Sequence, residues 1–137
     1  MNFENTVESI IDKTLKEGAT ACDVVLAASS GKSISCRKQK IEDIEESSEK
    51  IIGVRALINQ KQAFVSSSQV DKENLDKLVS KCVSMAKQAP DDDTAVLGDS
   101  DFFETNISDL DLFQKDETDT QILVDSVMEC EDAALSV

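Results

Sequence analysis

Histidine is absent from all 137 residues of this chain, as are tryptophan and tyrosine. Without imidazole the chain lacks the commonest general base and the commonest metal ligand, and no Ser-His or Cys-His nucleophile can be assembled within it. Glycine occurs four times, at 18, 31, 53 and 98, never close together, so there is no glycine-rich phosphate loop. The aromatic residues are five phenylalanines. The core must therefore rest on Ile, Val, Leu and Ala, and a platform for stacking nucleic-acid bases is ruled out. Positive charge is also short. The 14 basic residues face 28 acidic ones, for a formal charge of −14, and such a surface repels phosphate backbones and anionic lipid while favouring basic partners. The charge is scattered and not set at a phosphate-like repeat, which argues against an imitation of DNA. The start, Met1-Asn2-Phe3-Glu4-Asn5, has neither the basic segment nor the apolar run of a signal peptide. No apolar stretch approaches the ~20 residues that span a bilayer. These features predict a cytoplasmic protein with no direct nucleic-acid or membrane contact.

What is present fits one folded domain of ordinary apolar content. Four cysteines, Cys22, Cys36, Cys82 and Cys130, include no C-x-x-C pair. A four-cysteine zinc site is conceivable but lacks paired spacing, and small, buried, reduced thiols are the better reading.

The periodicity predicts an α+β fold. Phe3, Val7, Ile10, Ile11, Thr14 and Leu15 share one face of a helix over about 3–17, with Gly18 at its end. The run from Asp23 to Ala28 reads as a strand covered on both faces, and Ser30-Gly31-Lys32 as a turn. Ile34 and Cys36 then alternate with polar residues. Ile41 and Ile44 lie three apart, suggesting a bulge or an early strand end. Ile51–Ile58 is the strongest strand, Asn59-Gln60-Lys61 a hairpin connection, and Phe64–Ser68 pairs back. Strands this close in sequence form an antiparallel meander of four to five strands. Asp71 caps a second helix whose stripe is Leu75, Leu78, Val79, Cys82, Met85, Ala86 and Ala89, stopped by Pro90. The two helices are expected to cover one face of the sheet. Beyond Pro90 an acidic, irregular arm is punctuated by Phe102, Phe103, Leu110, Leu112 and Phe113 as apolar anchors. A last helix begins near Thr120, with Leu123, Val127, Cys130, Ala134 and Val137 inward. Three segments result: an α+β domain over 1–90, an arm over 91–117, and from 118–137 a helix that still runs where the chain stops, as the start of a further domain would.

The carboxylates do not assemble into chemistry. Asp91, Asp93, Asp99 and Asp101 fail the spacing of a calcium loop, because Ala95 falls on a ligand position. Glu42, Asp43, Glu45 and Glu46 lack the aromatic platform of a sugar site and read as an exposed strand face. Arg55 stands out inside the most apolar strand. It must be paired with a carboxylate, exposed on an uncovered sheet face, or reserved for a partner.

An ordered series of segments then resembles a known family. Gly31-Lys-Ser-Ile-Ser-Cys-Arg37, Lys40-Ile41-Glu42 and Ile52-Gly53-Val54-Arg55 come first. Ala63-Phe64-Val65-Ser66-Ser67-Ser68, Met85-Ala86 with Pro90-Asp91, Asp109-Leu-Asp-Leu-Phe113 and Glu131-Asp-Ala-Ala-Leu135 follow. The series is similar to the N-terminal region of the TldD/PmbA family, and its last two members to the PmbA (TldE) branch. Two positions depart from the family's pattern, Gln39 at a turn and Ala63 before Phe64, each where the family tends to have glycine. The resemblance implies a parent chain of several hundred residues and a zinc-dependent peptidase acting on unfolded peptides. The zinc would sit in a TldD-like partner subunit that carries an H-E-x-x-x-H motif. The family is also labelled a modulator of DNA gyrase. On this reading the chain itself holds no catalytic, metal or cofactor residue. Arg37, Glu42, Gly53 and Arg55 are motif positions for structure or partner contact, and the domain shapes substrate access by adding a peptide as a strand beside Ile51–Ile58 or an edge strand next to it.

Overall fold

The computed structural model describes residues 2–111 and 118–137. Helix α1 (Phe3–Lys16) is followed by strands β1 (Ala21–Arg37), β2 (Lys40–Ile58) and β3 (Lys61–Ser67). Helix α2 (Lys72–Gln88), one 3-10 turn (Ser100–Phe102) and helix α3 (Thr120–Leu135) complete the order. The strands form an antiparallel meander, β1-β2-β3. The chain divides into two units: Met1–Ser29 with Glu49–Phe103, and Ser30–Ser48 with Glu104–Val137.

The first unit is a two-layer sandwich. Strand β2 alternates, with Ile52, Val54 and Ala56 pointing inward and fully buried. They meet Leu75, Leu78, Val79, Cys82, Val83 and Ala86 of α2 and Ile10 of α1, while Val24, Leu26, Ala63 and Val65 pack around them. Thr14 is the one buried polar residue of this core, and its hydroxyl is satisfied by donating to the Ile10 carbonyl at 2.7 Å. As the sequence predicts, Asp71 caps α2 by accepting from the Asn74 N–H at 3.1 Å, and Pro90 follows an extended Ala89. Asn2 caps α1 by accepting from the Asn5 N–H at 3.4 Å. Gly18 has φ 109°, a conformation that glycine adopts without strain. The two helices are tied by a Lys13–Asp76 ion pair and by Ser80 donating to Glu17 at 2.8 Å.

The second unit contains the outer half of the β1–β2 hairpin and α3. The hairpin turns at Lys38 and Gln39, with φ of 51° and 59°. Glycine is favoured in such a turn, and a carboxylate compensates here. Glu131 of α3 accepts from the Lys38 N–H at 2.7 Å and the Gln39 N–H at 2.6 Å, while the Gln39 side chain donates to Asp132 at 2.7 Å.

Several expectations are corrected. Among the described residues there are three strands and not four or five, because Ser30-Gly31-Lys32 is not a turn. Gly31 lies within β1, where the Ser47 hydroxyl donates to its carbonyl at 3.5 Å. Small residues are as compatible with a paired strand as with a turn, and the partner strand decides. Asp23–Ala28 is covered on one face only, with Val25 63% exposed. Strand β2 runs unbroken past Ile41 and Ile44, so the three-residue interval marks no strand end. On α2, Val83 is buried and Met85 half exposed. The arm's anchors Phe102, Phe103 and Leu110 are exposed, and among its described residues Ala95 is the one that is buried; Leu112 and Phe113 lie outside the described residues. On α3, Leu123 and Val127 are half-buried, but Cys130, Ala134 and Val137 are exposed.

Two tests follow from this packing. Ile52→Ala should lower unfolding free energy by about 2–5 kcal/mol, read as a lower urea midpoint at unchanged m-value. Asp71 has its carboxyl held below the ordinary 3.8, first by the Asn74 side chain and then by the Asn74 N–H. A lowered folded-state pKa gives stability that is present above the unfolded value and lost as pH falls through the folded one. Asp71→Ala should therefore melt a few degrees lower than wild type at neutral pH, and the gap should shrink below about pH 4.

Candidate functional site

The two faces of the first unit's sheet differ. The face opposite the helices carries Asp23 and Val25 from β1, Ile51, Gly53 and Arg55 from β2, and Phe64 and Ser66 from β3. Arg55 finds the carboxylate that the sequence asked for: its Nε donates to Asp23 Oδ2 at 2.9 Å, and its Nη2 donates to the same oxygen. Strand alternation brings the pair together, with Asp23 and Arg55 pointing away from the core on adjacent strands. Both groups are partly exposed, 32% for Arg55 and 45% for Asp23, so the pair neutralises the face without a deep desolvation cost.

Gly53 serves the same face. A Cβ built there would stand 2.8 Å from the Cε2 and Cζ atoms of Phe64. The absence of a side chain is what lets the Phe64 ring lie back over β2, and the ring remains 61% exposed. Of the other two motif positions, Arg37 and Glu42 sit in the second unit, where they form an ion pair at 3.1 Å across the hairpin. The structure thus gives Arg37–Glu42, Gly53 and Arg55 defined contacts but gathers only Gly53 and Arg55 on one face.

Beside this face runs the free edge of β3. The sheet order leaves β2 flanked on both sides, so Ile51–Ile58 has no unpaired edge and cannot template a further strand. Strand β3 can. Ile58 and Lys61 flank a two-residue turn, and the register continues through Ala56↔Ala63, Val54↔Val65 and Ile52↔Ser67. Pairs flanking such a turn are hydrogen-bonded and alternate with pairs that are not. The N–H and C=O groups of Gln62, Phe64 and Ser66 therefore point away from β2. An open groove of about 360 Å³ lies along this edge, lined by Gln62, Ala63, Phe64, Met85, Gln88 and Ala89. The chain after α2 closes one end. The Asp92 N–H donates to the Gln60 carbonyl at 2.6 Å, and Gln62 Nε2 to the Asp92 carboxylate at 2.9 Å. Thr94 and then Gln62 hold that carboxylate's pKa below its ordinary value.

Sequence reading missed Phe64, Met85 and Asp23 as members of this site. Their signal was parity. Phe64 sits between inward Ala63 and Val65, and Asp23 has the same outward parity as Arg55. Nothing local marks an exposed methionine on an apolar stripe.

Among the described residues no group of three or more His, Cys, Asp or Glu could hold a metal ion. The cysteine thiols are free, and burial first of all pushes Cys22, Cys36 and Cys82 up from the ordinary thiol value. With no imidazole and no converging thiolates, the donor set does not fit a zinc ion. No described helix is long and apolar enough to cross a membrane.

Residues 22–86 match the family model described as PmbA/TldA metallopeptidase domain 1. The chain is 27% identical over 133 residues to a metalloprotease PmbA homolog of Haemophilus influenzae, covering 97% of this chain and 29% of that protein. Among solved structures, a Bacteroides thetaiotaomicron protein described as a modulator of DNA gyrase superposes with a TM-score of 0.70 at 18% identity, covering 77% of this chain and 24% of that one. TldE from Thermococcus kodakarensis superposes with a TM-score of 0.61 at 15% identity, covering 67% and 21%. The structural likenesses establish the fold, and the chain spans less than a third of each of these proteins. From β1 to α2, then, residues 22–86 of this chain are similar to the first domain of the PmbA/TldD metallopeptidases.

Proposed function

We propose that this chain is the N-terminal domain of a PmbA (TldE)-type subunit of a cytoplasmic, zinc-dependent TldD/PmbA peptidase, and that it shapes substrate access without catalysing. The observation that carries the reading is the free edge of β3 with its adjoining groove. An extended peptide added there would pair its backbone with Gln62, Phe64 and Ser66, and would lay an apolar side chain between Phe64 and Met85. Backbone pairing recognises extended chain and not a particular sequence, as suits unfolded peptides. The zinc would belong to the TldD-like partner, where it would supply a Lewis acid and an activated water. Residues 1–90 would form the access domain, 91–117 an arm, and 118–137 the lead into a C-terminal domain. Arg37, Glu42, Gly53 and Arg55 would hold the domain's shape or meet the partner subunit.

A second reading is a non-catalytic acidic interaction module that acts on a protein such as DNA gyrase. The gyrase-modulator description of the B. thetaiotaomicron structure and the charge of −14 favour it. A peptidase subunit needs a metal-bearing partner and loses activity to chelators. A charged module binds alone, ignores chelators and weakens as salt rises.

The discriminating variant is Ser66→Pro in the subunit reconstituted with its TldD-like partner. The Ser66 N–H faces away from β2, so proline there should leave the β2–β3 pairing intact while blocking an added strand. Peptide kcat/KM should fall about tenfold or more at nearly unchanged melting temperature, and cleavage at the wild-type rate would remove β3 as the template. Arg55→Ala strands Asp23 on the sheet face and should cost about 1 kcal/mol. Peptide cleavage at the wild-type rate by a complex carrying it would confine Arg55 to a structural role.

A further inference from the structure

Two of the four cysteines, Cys36 and Cys130, belong to the second unit. Cys36, half-buried on β1 in the second unit, has its Sγ 3.5 Å from the Val127 carbonyl oxygen of α3. That carbonyl lies three residues before Cys130, within the range at which a short helical side chain bonds back onto its own helix. One oxygen thus lies within range of the Cys36 thiol and of the position that a Cys130 thiol takes when it bonds back onto its own helix. Cys130 is exposed and open to a soluble reagent. The proximity also registers electrostatically. The Cys36 thiol is pushed up by partial burial first, then by Glu131 and then by Cys130.

What a bond there would change is the hold on α3. None of its residues is fully buried. Half-buried Leu123, Val124, Val127 and Met128, with the Glu131 clamp on the turn, are its fastening. The other pair offers less: Cys22 feels Cys82, but Cys82 is fully buried with its Sγ against the Val54 and Ala63 carbonyls, out of reach of an oxidant.

We propose that Cys36 and Cys130 close into a reversible disulfide that locks α3 onto the β1–β2 hairpin when the surrounding thiol pool turns oxidising. The oxidant is a low-molecular-weight disulfide of the glutathione class. The Cys130 thiolate attacks one sulfur of glutathione disulfide, breaking its S–S bond and releasing one glutathione thiolate. The Cys36 thiolate then attacks the Cys130 sulfur of the mixed disulfide, forming the protein disulfide and releasing the second glutathione thiolate. Both protein thiol protons pass to solvent or to the released thiolates, and the electron pair ends on two glutathiones. Because Cys36 ionises above the ordinary thiol range, the second step accelerates with rising pH.

The test treats the 137-residue chain with glutathione disulfide, quenches with acid, alkylates, and maps the linkages by mass spectrometry without reduction. A monomeric species with Cys36 joined to Cys130 is expected, forming faster as pH rises from about 7 to 9. Amide exchange in α3 should slow on the order of tenfold or more, reversed by dithiothreitol. Cys130→Ser should abolish the linkage and leave α3 exchange in the reduced chain unchanged. A reaction that stops at a glutathione adduct on Cys130, a Cys130–Cys130 dimer as the main product, or linked chains whose α3 exchange is unaltered would each overturn the proposal.

Discussion

Every layer of the first unit meets at three side chains of one strand. Ile52, Val54 and Ala56 are fully buried, and they are the floor against which α2 packs Val79, Cys82, Val83 and Ala86. The strand that carries them is also paired on both edges, so its backbone groups are satisfied by neighbours and its inward face by helices. That double commitment leaves β2 without a free edge and leaves the open edges of the sheet to its neighbours. The outward side chains of the same strand can then serve other ends: Gly53 gives way to a phenylalanine ring, and Arg55 anchors Asp23 on β1. The core and the outward face that borders the β3 edge are thus the two sides of one pleated strand.

The site is built from backbone more than from reactive side chains. Its polar groups are the outward N–H and C=O of alternate β3 residues, and its side chains are apolar or amide. The family model that residues 22–86 match is described as a metallopeptidase domain, and among the described residues no group of three or more His, Cys, Asp or Glu could hold a metal ion.

How much of this was legible in the sequence depended on whether the signal was local. The helices were, since the Asp71 cap, Gly18, Pro90 and apolar stripes at helical spacing are read within a few residues. The start of α3 near Thr120 was read in the same way. The long hairpin was not. Ser30-Gly31-Lys32 carries turn chemistry, while the true turn at Lys38-Gln39 has no glycine and relies on a carboxylate more than ninety residues away. Arg55 was legible as a residue in need of a partner, but the partner's identity required knowing which strand lay alongside. Phe102, Phe103 and Leu110 were read as anchors because apolar side chains usually bury. In the described structure they face solvent, and sequence alone does not say against what an apolar residue would pack.

The clamp of Glu131 on the Lys38-Gln39 turn has a consequence for the order of folding. Two-residue hairpins with glycine or asparagine in the turn close early, because the bend is locally favoured and brings the strands together within microseconds. Here the bend places two ordinary side chains at positive φ, and the compensating hydrogen bonds arrive only once a helix distant in sequence has formed and docked. The tip of the hairpin is therefore a non-local element in the guise of a local one, with the loop-closure entropy of the intervening chain to overcome before it settles. During synthesis it would stay open until residue 131 has emerged, while the sandwich of β2, β3 and α2, complete by residue 88, can assemble ahead of it.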